Sequence, residues 1–332
     1  MHEYLQILGN VIPLFALMAV GAAVRRIGIL TESADRSLVD LCVHLLLPCL
    51  ILDHVMANEA LRRSGNLLWS PFLGFTVTAV GIGIAWVAAK LYRFPHAAQT
   101  KTFGYVAGIY NYGYIPVPLV ATLFGTNALG VLFVYNLGTE TAFWLVGFAL
   151  LTGHTIWSDW RRALTSPVRA VILGVTINLT TAAFGLRLDD ATLDTLAWGW
   201  PVKVVFDTIH LIGDCSIPIA LIVIGATMSD FWGEFKRNPG PGVMTLGVFV
   251  RNFVAPAMMV LVAWLVPVSL ELKETIVVQA AMPAGVFTLM LSRHNGGSVP
   301  VALQVIFSSS AAALITLPLW VHFGLLLIGT AK

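Results

Sequence analysis

Gly108-Ile109-Tyr110-Asn111-Tyr112-Gly113-Tyr114-Ile115-Pro116-Val117-Pro118-Leu119 is the stretch whose reading decides the fold. It lies inside an apolar run, roughly 102–124, long enough to cross a bilayer. Pro116 and Pro118 each lack an N–H and crowd the preceding turn, so one uninterrupted helix is not expected. Backbone groups freed at membrane depth are tolerated only where protein buries them or where they line a wet cavity. The stretch also carries an amide, Asn111, and two glycines, Gly108 and Gly113. A comparable place lies at Met282-Pro283-Ala284-Gly285. Together they predict one site built from two helix breaks.

The rest of the chain is as apolar as this run. Of 332 residues, 58% are hydrophobic and 11% charged, with mean hydropathy +0.84. A soluble domain carries about 25% charged residues, so this composition predicts an integral membrane protein with the lipid bilayer as its surroundings. The net charge of +2 gives no argument for a nucleic-acid partner. Trp157, Trp160, Trp198 and Trp200 fall near segment ends, where Trp anchors at the interface. Cys42, Cys49 and Cys215 lack the close spacing of a zinc or haem motif and read as small buried hydrophobes. No metal and no cofactor is expected. The first apolar run has no basic n-region before it, so a cleaved signal peptide is not expected.

A span needs about 20 mainly apolar residues. Ten candidates follow: 5–24, 37–56, 67–90, 102–124, 128–151, 167–186, 204–230, 241–266, 273–293 and 299–328. The loops after the odd-numbered spans hold twelve Lys and Arg, among them Arg25, Arg26, Lys90, Arg161 and Arg162. The opposite side holds six, including Arg62, Arg63, Arg187 and Lys332. This bias predicts both termini on the non-cytoplasmic side of the membrane.

Ten spans divide into two fives. Pro48 of span 2 and Pro218 of span 7 are 170 residues apart, and Pro116 of span 4 and Pro283 of span 9 are 167 apart. Because five is odd, the second set would enter the membrane from the other side. The expectation is two inverted five-helix repeats, 1–156 and 157–332. Interrupted spans at matching positions of two inverted halves point to a carrier's midplane site. The bland alternative is that these prolines only kink packed helices.

Three motifs carry a family resemblance: Asn111-Tyr112-Gly113-Tyr114-Ile115-Pro116-Val117-Pro118-Leu119 with Leu123-Phe124-Gly125, Ala280-Ala281-Met282-Pro283-Ala284-Gly285, and Ile217-Pro218-Ile219-Ala220-Leu221. With them the chain resembles the auxin efflux carrier family, which holds plant PIN proteins and compact bacterial malate/malonate-type permeases. Its fold is similar to that of the bile acid:sodium symporters. The resemblance implies an all-α fold of ten transmembrane helices, with helices 4 and 9 broken and crossing. Helices 1, 2, 6 and 7 would form a scaffold. Helices 3–5 and 8–10 would form a transport domain moving like an elevator. Family substrates are mostly organic anions, and the matching crossover positions are Asn111, Pro116 and Pro283. The long loop of plant members between spans 5 and 6 is absent, so the chain resembles the compact bacterial form; this implies a bacterial inner (plasma) membrane and argues against auxin as substrate. A fixed scaffold commonly dimerises in related folds, which implies a homodimer.

Half-helix N-termini present unpaired N–H groups and a positive dipole end, which favour a carboxylate. The residues expected to bind substrate are therefore Asn111, Gly113, Pro116, Pro118, Gln279, Pro283, Gly285 and Thr288. Asn136, Gln304 and Ser308 are further polar candidates for the same cavity, although the Ser308-Ser309-Ser310 run reads first as close helix packing. Ionisable residues inside a membrane are expensive and usually functional. Glu140 in span 5, Asp214 in span 7 and Arg251 in span 8 are the candidates for ion coupling or charge pairing. Arg251 would pair with Glu140, Asp214 or the substrate. Protonation of Glu140 would couple transport to protons; the coupling ion is H⁺ or Na⁺. Asp53-His54 reads as interfacial, and Gly81-Ile82-Gly83 as packing.

No His-Glu-x-x-His, Gly-x-Ser-x-Gly or Gly-x-x-x-x-Gly-Lys-Ser/Thr occurs, so no enzyme is expected and transport would be secondary. The sequence leads to a secondary carrier of small carboxylates or dicarboxylates. The alternatives are a sodium-coupled carrier like the bile acid symporters, or a non-transporting sensor of the same fold. An intramembrane enzyme would cluster its acids or histidines at one face, whereas here they are scattered.

Overall fold

The computed structural model describes residues 2–153, 164–186, 199–237 and 240–329. Trp157, Trp160, Trp198, Arg161, Arg162, Arg187 and Lys332 lie outside the described residues. The described residues are helical and contain no strand, only one isolated bridge between Tyr110 and Ala284. In order, the helices are α1 (His2–Arg26), α2 (Glu32–Leu41), α3 (Leu47–Met56), α4 (Ser64–Tyr92) and α5 (Ala97–Gly108). Then come α6 (Pro116–Ala142), α7 (Ala149–Thr152), α8 (Ser166–Ala183), α9 (Gly199–Asp214) and α10 (Ser216–Arg237). The last five are α11 (Pro241–Phe249), α12 (Ala255–Leu265), α13 (Leu270–Ala280), α14 (Phe287–His294) and α15 (Val299–Ile328). A helix satisfies its own backbone, which is why apolar runs in lipid take this form. Large apolar side chains such as Leu91, Phe184 and Ile315 stand exposed on the helix surfaces, where lipid tails would meet them.

Among the described residues, eight helical runs are long and apolar enough to cross a membrane: Tyr4–Arg26, Glu32–Met56, Gly65–Tyr92, Pro116–Thr152, Ser166–Ala183, Gly199–Arg237, Pro241–Leu265 and Val299–Ile328. The difference from ten lies in 102–124 and 273–293, neither of which is one helix. The first is interrupted between α5 and α6, and the second between α13 and α14. The Pro116–Thr152 run is itself not straight. Gly125 holds φ 80° and ψ −171°, so α6 turns a corner there. A side chain would strain that left-handed backbone, and glycine does not.

Proline placement explains the other irregularities. A proline cannot donate to the carbonyl four residues back. Pro256 leaves the Asn252 carbonyl free; a π-helical turn over Val250–Val254 accommodates this, and Trp320 Nε1 donates to Asn252 O at 2.7 Å. A second π-helical turn, Cys42–Leu46, precedes Pro48, and the helical run through Pro48 continues unbroken. Pro218 differs: α9 stops at Asp214, the residue whose carbonyl Pro218 cannot serve, and the chain turns at Cys215. The expectation that both prolines break their spans therefore holds for Pro218 and fails for Pro48, where the wider turn absorbs the defect.

Packing falls into two groups. α1 packs on α10, α3 on α8 and α9, and α10 on α2. α4 packs on α5 and α6, α6 on α13, α12 on α13, and α15 on α5 and α11. Without water to drive association, helices in lipid gain mainly from close van der Waals contact, which small residues permit. α4 and α6 meet this way: a Cβ on Gly138 would overlap the Pro71 carbonyl. Contacts of α3 with α6 and of α1 and α10 with α15 join the groups.

Candidate functional site

The two breaks cross. Asn111 N donates to Pro283 O at 2.8 Å, and Gly285 N donates to Ile109 O at 3.0 Å, with Tyr110 opposite Ala284. These paired bonds satisfy backbone groups that the interrupted helices leave open at the two breaks. Pro116 takes the first position of α6, where a missing N–H costs nothing. The carbonyl it cannot serve, Tyr112 O, accepts instead from Asn136 Nδ2 at 2.9 Å and Gln279 Nε2 at 3.3 Å. Gln279 also donates to Asn136 Oδ1 at 2.8 Å. At the second break, Ala284 N donates to Ser309 Oγ at 3.2 Å. Gly285 lies so near that a Cβ there would come within 3.2 Å of Tyr110 O. The amides of Gly113 and Tyr114 have no acceptor among the described residues.

Beside the crossing is a cavity of about 330 Å³. Ile109 to Tyr114 form one wall, with Gly285 to Thr288 from the second break and Asn136 and Glu140 from α6. The opposite wall comes from the other packing group: Val39 and Cys42, Val168 and Val171 of α8, and Ala220, Val223 and Thr227 of α10. The lining is mostly apolar and aromatic, and among the described residues it holds no Lys, Arg or His. Glu140 is its one carboxylate. Tyr112 Oη donates to Glu140 Oε2, and Trp144 Nε1 donates to Glu140 Oε1 at 3.0 Å. Thr165, from the opposite wall, also hydrogen-bonds this carboxylate. All three holders were missed in the sequence reading, although Trp144 stands one helical turn beyond Glu140.

Of the expected site residues, Asn111, Gly113, Gly285, Thr288 and Glu140 line the cavity. Gly113 faces open space, since a Cβ there would meet nothing within 4 Å. Thr288 Oγ1 donates to Gly285 O at 2.6 Å and so ties off the second break. Pro116, Pro118 and Pro283 shape the backbone and do not line the cavity; Gln279 is fully buried behind it. Gln304 is buried against Gly240, and Ser308 Oγ donates to Met244 O at 3.3 Å, both away from the cavity. Ser309, read as a packing residue, holds the Ala284 amide.

Two of the three charges are elsewhere. Asp214 is exposed, 3.4 Å from His210 Nε2, and His210 Nδ1 reaches Asp53 Oδ2 at 2.9 Å. Asp214 thus belongs to a cluster where α9 meets α3, outside the cavity, and Asp53 joins the same cluster. Arg251 is 1% exposed, and its Nη2 donates to Ala280 O at 3.0 Å. Its guanidinium carbon stands 5.3 Å from the centre of the Tyr110 ring. No carboxylate lies within ion-pair distance of it among the described residues, so its pairing with Glu140 or Asp214 is not found. The physical reason is local. Ala280 ends α13, where unpaired carbonyls give a negative dipole end that a cation neutralises. Tyr110 itself was missed: its hydroxyl sits within 3.1 Å of Thr78 and Tyr135 and 3.0 Å of Thr139, all buried.

Comparison with known proteins agrees with a role in transport. A family model described as membrane transport protein matches residues 6–158 and 151–321. The chain is also similar to an uncharacterized transporter of Methanothermobacter thermautotrophicus, at 22% identity over 94% of this chain and 96% of that protein.

Proposed function

The chain belongs to the auxin efflux carrier family of membrane transport proteins, and from that premise we propose that it is a secondary active carrier of small organic anions. The observation that carries this reading is the crossing of two helix breaks beside a cavity, with the Gly113 and Tyr114 amides unpaired and Asn111 at hand. Unpaired amides at the start of a half-helix favour a carboxylate. Asn111 both donates and accepts, so it orients the acid. Glu140 is the group that takes up a coupling proton.

The proposed architecture has ten crossings in two inverted repeats, the broken segments counting as spans 4 and 9. α4–α7 and α11–α15 form the body that moves, and α1–α3 with α8–α10 form the scaffold. Two features support this division: helices pack chiefly within these groups, and the cavity has one wall from each. Movement of one wall past the other carries the anion across, as in an elevator. Purified protein in liposomes tests the proposal against a panel of labelled mono- and dicarboxylates under imposed H⁺ and Na⁺ gradients. Uptake above protein-free liposomes for at least one acid is expected. No flux for any acid under any gradient sinks the reading.

A further inference from the structure

Two opposite charges are built into the crossing and do not meet. Arg251 lies behind Tyr110, held by the Ala280 carbonyl, with its Nε unpartnered. Glu140 lies on the cavity side, held by three neutral side chains, Tyr112, Trp144 and, from the residue that caps α8, Thr165. The titratable groups facing Glu140 are the phenols of Tyr105 and Tyr112, the Tyr114 phenol of the first break and, across the cavity, the Cys42 thiol. Those facing Arg251 are the phenols of Tyr110 and Tyr135. Phenols and thiols are neutral at neutral pH by their ordinary values. Among the described residues, the charges at the crossing are therefore one cation and one carboxylate.

Resting on the carrier reading above, we infer that Arg251 and Glu140 are a split charge pair that obliges the protein to move one proton with each monovalent organic anion. A net charge in the membrane core is expensive. With Glu140 ionised, the empty crossing is neutral as a whole. A bound monovalent anion alone leaves it at −1, and a proton alone leaves it at +1. Anion and proton together restore neutrality. The proton passes from water on the entry side to a Glu140 carboxylate oxygen and leaves to water on the other side. The carboxylate engages Tyr112, Trp144 and Thr165, and of its roughly four lone-pair sites one remains for the proton. Arg251 supplies the positive potential without touching the substrate, which explains a lining that has no cation. A dianion would carry an unbalanced charge, so the substrate class is the monovalent acid.

The test uses full-length protein in liposomes with a trapped pH dye and a potassium diffusion potential. For a monovalent acid, an inward gradient of one pH unit should drive about tenfold accumulation above protein-free liposomes. A potential of about 100 mV biases one uncompensated charge about 50-fold, yet it should change this uptake by less than about twofold. Glu140→Gln should keep acid exchange between preloaded liposomes and lose proton-driven accumulation. Arg251→Gln should lose acid binding, and its thermal midpoint separates that from misfolding. The wild-type electrical measurement stands even if both variants fail to fold. Potential-driven uptake without proton movement, or full proton-driven accumulation in Glu140→Gln, overturns the inference while leaving the carrier reading intact. Absence of any acid flux in the wild type overturns the carrier reading itself.

Discussion

Asn111 does two things at once. Its backbone N–H secures the crossing through Pro283 O, while its residue lines the cavity. Only the side chain is lost in Asn111→Ala, so the backbone bond and the fold should survive. Loss of one hydrogen bond to a charged ligand is worth about 1.5–3 kcal/mol. Affinity for a transported acid should therefore fall at least about tenfold, with the thermal midpoint of the ligand-free protein unchanged. Binding measured by ligand-induced thermal shift checks this, and unaltered affinity would move the site away from Asn111. At this scale the sequence was informative for residues inside the motifs: Asn111, Gly113 and Gly285 all reach the cavity. It was uninformative for Tyr110 and Ser309. A buried hydroxyl looks the same in sequence whether it packs or supports a break, because its partners are remote in the chain.

Among the elements, the breaks and bends follow from prolines, and each freed carbonyl needs a donor. Pro116 and Tyr112 O, served by Asn136 and Gln279, are one instance; Pro256 and Asn252 O, served by Trp320, are another. The second can be tested without touching the cavity. Trp320→Phe removes the donor and should cost about 1–3 kcal/mol, the penalty of an unsatisfied buried acceptor. Pro256→Ala restores the helical N–H, so in that background Trp320→Phe should cost markedly less. Thermal unfolding of the four proteins in detergent measures the cycle, and equal costs in both backgrounds would refute the account. The proline positions were readable from the sequence. Whether a proline stops a helix, as Pro218 does, or rides past a π-helical turn, as Pro48 does, was not. That depends on whether neighbouring helices leave room for a wider turn.

On the scale of the whole molecule, the cavity lies between two packing groups, and Cys42 is in the wall opposite the crossing. Cys49 and Cys215 do not line it. Cys42 is 3% exposed, so a larger side chain there has only the cavity to grow into. Cys42→Trp should therefore block transport while Cys42→Ala keeps it, and full transport by a folded Cys42→Trp protein would place the substrate path elsewhere. The sequence by itself determined the membrane class, the helical fold and the places where two helices break. Composition and proline chemistry act locally and hold whatever surrounds them. Only the tertiary structure decided that the breaks meet and that Glu140 faces the cavity with Tyr112 and Trp144. It alone set Asp214 apart beside His210 and Arg251 on a half-helix end instead of a carboxylate. Those outcomes depend on which helices lie side by side, because an ionisable group in lipid takes whatever partner packing brings within hydrogen-bond reach.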